Sequence, residues 1–126
     1  MNKITFIISL PRSGSTLLQK ILGAHSKIRT TAEPWLLLPL FEIDHLGLDS
    51  YFEGNACRMG IEDFISNLPQ QKKSYLVHIS NAVRQIYFSL LQGDENVIID
   101  KTPRYYNLIN EIYEYFPDAK FIFLFR

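Results

Sequence analysis

Pro11-Arg12-Ser13-Gly14-Ser15-Thr16 joins a short apolar run to the start of a helical stripe, and its residue types suit the binding of a tetrahedral oxyanion. Gly14 lets the backbone pass close to an anion, and the first amides of a helix are donors without intrahelical partners. Ser13, Ser15 and Thr16 add hydroxyls, and Arg12 adds a planar cationic fork. A nucleotide P-loop reads G-x-x-x-x-G-K-[ST]. With its second glycine on Gly14, Ser9 falls at the first glycine, Ser15 at the lysine, and Thr16 keeps the hydroxyl. The anion cradle is retained, whereas the lysine that bridges the outer phosphates of a magnesium-bound nucleoside triphosphate is not. A tight strand-to-helix turn with Arg12 in solvent is the plain alternative.

Three further positions could act on an anion held there. Glu33 precedes Pro34, which biases it to extended backbone, and its carboxylate could accept a proton. As the plain alternative it is an exposed loop acid. His25 follows Gly23-Ala24 at a helix end, where a histidine complements the helix dipole. Lys101, in Asp100-Lys101-Thr102-Pro103-Arg104, follows an apolar run and brings a cation to a strand end. Asp100 either orients it or caps the next turn. Arg104 is expected on an exposed helix face, and Arg126 closes the final apolar run. Trp35 either lines a cleft or packs. His45 and His78 lack partners at ligand spacing, so no metal site is expected. Tyr105, Tyr106, Tyr113, Tyr115 and Phe116 read as helix stripe and core rather than a base-stacking platform.

The elements that must position these groups follow from periodicity. Thr5 to Ile8 reads as a strand buried on both faces, and Leu17, Leu18, Ile21 and Leu22 as the stripe of a helix stopped by Gly23. Glu33 to Asp44 predicts a short broken helix, and Tyr51 to Arg58 a loop. Leu76, Ile79, Val83, Ile86, Tyr87 and Leu90 trace a long helix over 73–92 that Gly93-Asp94 ends. Asn96 to Asp100 predicts a second strand. Thr102 then reads as an N-cap and Pro103 as the first position of a helix burying Tyr105, Leu108, Ile109, Ile112 and Phe116. Ala119 to Arg126 predicts a third strand. Alternating strands and helices imply an α/β fold, a P-loop NTPase-like three-layer α/β/α arrangement with a parallel central sheet. Ligands of such sheets collect at the carboxyl ends of the strands, where Pro11 to Thr16, Asp100 to Arg104 and Arg126 fall. A third strand that runs to the last residue implies a single domain over 1–126 that is incomplete on its C-terminal side.

Composition narrows the partners. Lys plus Arg and Asp plus Glu number 13 each among 126 residues, so no net field recommends nucleic acid or an anionic membrane. The single cysteine, Cys57, excludes an internal disulfide and fits a reducing, cytoplasmic setting. No apolar run approaches the roughly 20 residues of a membrane span.

"PRSGSTLLQKILGAHSKIR" resembles the 5′-phosphosulfate loop of sulfotransferases that use 3′-phosphoadenosine 5′-phosphosulfate (PAPS), and "AKFIFLFR" resembles the strand leading to their 3′-phosphate site. The order of Arg12, Glu33, Lys101-Thr102-Pro103 and Phe116 to Phe121 is similar to the tyrosylprotein sulfotransferase-like branch. The resemblance implies that Arg12, Ser13, Gly14, Ser15 and Thr16 hold the 5′-phosphosulfate and that Arg126 reaches the 3′-phosphate. It also implies Glu33 as base, Lys101 as stabiliser of charge, no metal, and an acceptor hydroxyl or amine of unknown class. A divergent P-loop kinase or NTPase, or an inactive truncated nucleotide-binding domain, remains the alternative on the residues alone.

Overall fold

The computed structural model describes residues 1–45 and 54–125. Strand β1 (Lys3–Ser9) leads into helix α1 (Ser15–Gly23), and strand β2 (Ile28–Thr30) into the short helix α2 (Leu37–Phe41). Helices α3 (Gly54–Ser66) and α4 (Lys72–Phe88) follow, then strand β3 (Val97–Lys101), a 3₁₀ turn (Tyr105–Leu108), helix α5 (Ile109–Tyr115) and strand β4 (Lys120–Leu124).

The four strands form one parallel sheet in the order β2-β3-β1-β4. The register sets Phe6 beside Asp100 and Ile7 beside Lys101. From the central strand β1 the chain leaves toward β2, and from its neighbour β3 it leaves toward β4. The two connections thus run in opposite directions past each other and, being right-handed, leave on opposite faces of the sheet, which opens a crevice between the carboxyl ends of β1 and β3.

Alternation along the strands separates the two faces. Phe6 meets Tyr87 of α4 and Tyr105 edge-on, and its ring centroid lies 5.5 Å from Phe116 at the end of α5. Ile4, Phe6, Ile8, Leu76, Val83, Tyr87, Leu108, Ile112 and Phe116 make this side the main hydrophobic core. On the other side α1 packs against β1, β2 and β3.

The parallel α/β layering matches the sequence reading, and several elements differ in detail. Ile28–Thr30 is a strand where none was expected, because three residues are too few for a pattern and their pairing with Val97 to Ile99 defines them. Gly54 to Arg58 belongs to α3 rather than a loop, while 51–53 lie outside the described residues. Helix α4 ends at Phe88, before Gly93. Gly23 does close α1, but as close packing: a Cβ there would lie 2.6 Å from Thr30 Cγ2. Leu17 and Ile21 of the expected stripe are 65% and 61% exposed, and the buried residue of α1 is Gln19. Thr102 caps no helix, since its hydroxyl donates to Asp100 and the chain first turns through the 3₁₀ segment.

Candidate functional site

The loop after β1 holds two residues in the left-handed region, Arg12 at φ 59° and Gly14 at φ 89°. Gly14 is the N-cap of α1 and contributes no side-chain cap, and a Cβ on it would meet nothing within 4 Å. Glycine is thus required by backbone conformation, and the space above it stays open to a ligand. Ser13 Oγ is buried with no hydrogen-bond partner, an exception that calls for an explanation in a folded protein. An anion seated at the helix start would supply the missing acceptor.

Lys101 ends β3 on the face toward α1. Its side chain is 3% exposed, its Nζ pairs with Glu33 Oε1, and it donates at 3.4 Å to Thr16 Oγ1. A buried ammonium needs a counter-charge, and Glu33, 35% exposed, supplies it from the cleft. Thr16, Glu33 and Lys101, separated widely in sequence, therefore meet at the crevice between β1 and β3.

The segment that carries Glu33 is tied down on both sides. Upstream, the Gln19 amide donates to Thr30 Oγ1 and to the Thr31 carbonyl, each at 2.7 Å. Downstream, the Trp35 amide donates to Thr102 Oγ1 at 3.3 Å and the Leu37 amide to the Tyr105 hydroxyl at 3.2 Å. Trp35 itself sits at φ 55°, a conformation that is uncommon for a residue with a Cβ and needs such support.

Asp100 is the hub beneath these contacts and is fully buried. Its carboxylate accepts from Thr102 Oγ1 at 2.8 Å, from the Tyr105 hydroxyl at 2.9 Å and from the Tyr87 hydroxyl. Burial pushes the Asp100 carboxyl above the usual carboxylate range, against the pull of the three hydroxyls. Burial and the neighbouring carboxylate likewise raise the Tyr87 and Tyr105 phenols, so both stay protonated donors. Of the two roles the sequence left open for Asp100, neither holds: it faces away from Lys101 and caps no turn, because successive strand residues point to opposite faces.

The chain is similar to known proteins. The family model described as "Sulfotransferase family" matches residues 5–126. The chain belongs to the sulfotransferase family. It is also 27% identical over 125 residues to Nodulation protein NoeE of Sinorhizobium fredii (strain NBRC 101917 / NGR234). That match covers 98% of this chain and 28% of the relative's length. The family match does not single out the tyrosylprotein branch.

In this sulfotransferase-family chain the structure brings together Thr16, Glu33 and Lys101, with Arg12, Ser13, Gly14 and Ser15 in the adjoining loop. Arg126 lies outside the described residues. His25 does not join the cluster; its Nδ1 accepts from the Lys27 amide in a local turn at 3.1 Å. Arg104 is exposed, though in the turn before the 3₁₀ segment and not on a helix face, and Trp35 is 43% exposed beside the cleft. Ile86 and Leu90, expected in the buried stripe of α4, line an apolar cavity of ≈ 180 Å³ with Thr31, Pro34 and Leu36. Another cavity, beside Met1 to Ile4, lies at the opposite end of the sheet from the candidate residues. Among the described residues, no group of His, Cys, Asp and Glu is placed to hold a metal, and no helix is long and apolar enough to cross a membrane.

Sequence reasoning missed Gln19, Tyr87 and Tyr105 as parts of the site. A glutamine on a helix with apolar neighbours and two tyrosines at stripe positions carry no local mark of their partners.

Proposed function

We propose that the chain carries the donor-binding and catalytic part of a PAPS-dependent sulfotransferase, acting on a hydroxyl or amine acceptor. The observation that carries this reading is the Glu33–Lys101–Thr16 cluster facing an anion loop that has serine where a nucleotide loop has lysine.

In this reading the amides and hydroxyls of Ser13 to Thr16 and the Arg12 guanidinium hold the 5′-phosphosulfate. The orphaned Ser13 hydroxyl and the open space above Gly14 fit that group. Glu33 takes the proton of the acceptor as its oxygen or nitrogen forms a bond to sulfur, and the bond from sulfur to the 5′-phosphate oxygen breaks. The electron pair stays on that oxygen, where Lys101 and Arg12 stabilise the charge. Lys101 must exchange Glu33 for the phosphate to do so, and Thr16 keeps its Nζ in reach during the exchange. No step requires a metal. Arg126 would contact the 3′-phosphate.

Titration calorimetry with the product nucleotide, 3′-phosphoadenosine 5′-phosphate, tests the reading. Binding that is indifferent to magnesium is expected. Absence of binding, or binding of ATP that requires magnesium, would overturn it in favour of a phosphotransferase.

A further inference from the structure

We infer that Asp100 is a positioning residue for Glu33, acting through Thr102 and Tyr105. The inference rests on the reading of Glu33 as the base. The motivating geometry is a short relay. Thr102 and Tyr105 each donate a hydroxyl proton to Asp100 and each accept a backbone amide from the Glu33 segment, Trp35 at 3.3 Å and Leu37 at 3.2 Å. A carboxylate that only accepts turns both hydroxyl protons inward, which leaves their lone pairs for the two amides. Tyr87 adds a third donor and holds the carboxylate from α4.

The relay matters because of where Asp100 stands. It is the neighbour of Lys101 on β3, and the strand alternation sends the two side chains to opposite faces. Lys101 meets the Glu33 carboxylate on one face, and on the other Asp100 reaches the backbone that carries Glu33 only through Thr102 and Tyr105. One strand end thereby sets both the charge partner and the placement of the base. The left-handed backbone at Trp35 marks the point under tension, two residues after Glu33. Without the Thr102 hydroxyl, Trp35 is free to relax toward ordinary backbone and to carry Glu33 with it.

Thr102→Val removes the hydroxyl at nearly constant shape, and Thr102→Ser restores it. In the sulfotransfer reaction, Thr102→Val is expected to lower kcat about tenfold to a hundredfold, the usual scale for a displaced catalytic group, with donor affinity little changed. Thr102→Ser should recover kcat. Trp35 is the sole tryptophan of the sequence, so its fluorescence reports the segment directly. Quenching of Trp35 by acrylamide should rise in Thr102→Val and return in Thr102→Ser, while the unfolding midpoint of the fold moves by only a few degrees. Wild-type quenching in Thr102→Val overturns the inference, and so does an equal loss of donor affinity and kcat. If the wild-type protein binds no 3′-phosphoadenosine 5′-phosphate, the proposed function fails instead. The quenching comparison then still decides whether the relay holds the segment.

Discussion

In the loop after β1, the Ser13 hydroxyl is buried with no protein partner, and Arg12 and Gly14 adopt left-handed backbone within three residues. In the segment after β2, the Trp35 and Leu37 amides each meet a buried hydroxyl, and the Thr31 carbonyl meets a buried amide. The first region is left incomplete by the protein, and the second is completed by it. In the proposed function that contrast becomes a division of labour, with the loop assigned to the anion and the tied segment to the Glu33 carboxylate. The two regions touch through Lys101, which donates to Thr16 of one and pairs with Glu33 of the other.

The sharpest way to separate them is at the carboxylate. Glu33→Gln keeps the shape and a hydrogen-bond acceptor for Lys101 but cannot take a proton. Turnover should fall by about 10²–10⁴, measured as sulfate transferred to acceptor, with affinity for 3′-phosphoadenosine 5′-phosphate nearly intact. Arg12→Ala should do the reverse and act on binding. Loss of charge-assisted contacts of about 1.5–3 kcal/mol corresponds to roughly ten- to hundredfold weaker binding by calorimetry. Similar losses of affinity in both variants would erase the distinction between the regions.

The completed region can be opened by removing one hydroxyl. Tyr105→Phe leaves the Leu37 amide buried without an acceptor and takes one donor from Asp100. Denaturant unfolding should show a loss of about 1–3 kcal/mol. The smallest expected effect is one of pH. Because burial raises the Asp100 carboxyl, the folded chain binds this proton more tightly than the unfolded chain. Its contribution to stability is present below the unfolded carboxyl range and is lost as pH rises through the raised value. Asp100→Asn, though less stable throughout, should lack that decline in unfolding measured across mildly acidic pH.

The same contrast accounts for what could be read in advance. Pro11 to Thr16 is local chemistry, and its glycine, hydroxyls and cation could be nominated for an anion from residue types before any packing was known. Glu33 and Lys101 could be nominated, since a carboxylate before proline and a lysine after an apolar run are visible as residue types. Their pairing was not visible, because 68 positions separate them and only the order β2-β3-β1-β4 brings them together. Asp100 was misread for the same reason: as a type it suggested a cap or a partner for Lys101, and its burial beneath Tyr87 and Tyr105 reversed that. Leu17 and Ile21 show the converse, a periodic apolar stripe that helix spacing alone placed inside and the fold left exposed.

By itself, then, the sequence determined the α/β class, the parallel strands and the glycine-bearing turn between β1 and α1, because these rest on short-range periodicity and on backbone freedom at one glycine. Only the tertiary structure decided which face of β3 meets Glu33, and that Gln19, Thr102 and Tyr105 hold the segment in place. Those contacts join residues distant in the chain, and hydrogen bonds between distant groups exist only once the sheet has set its register.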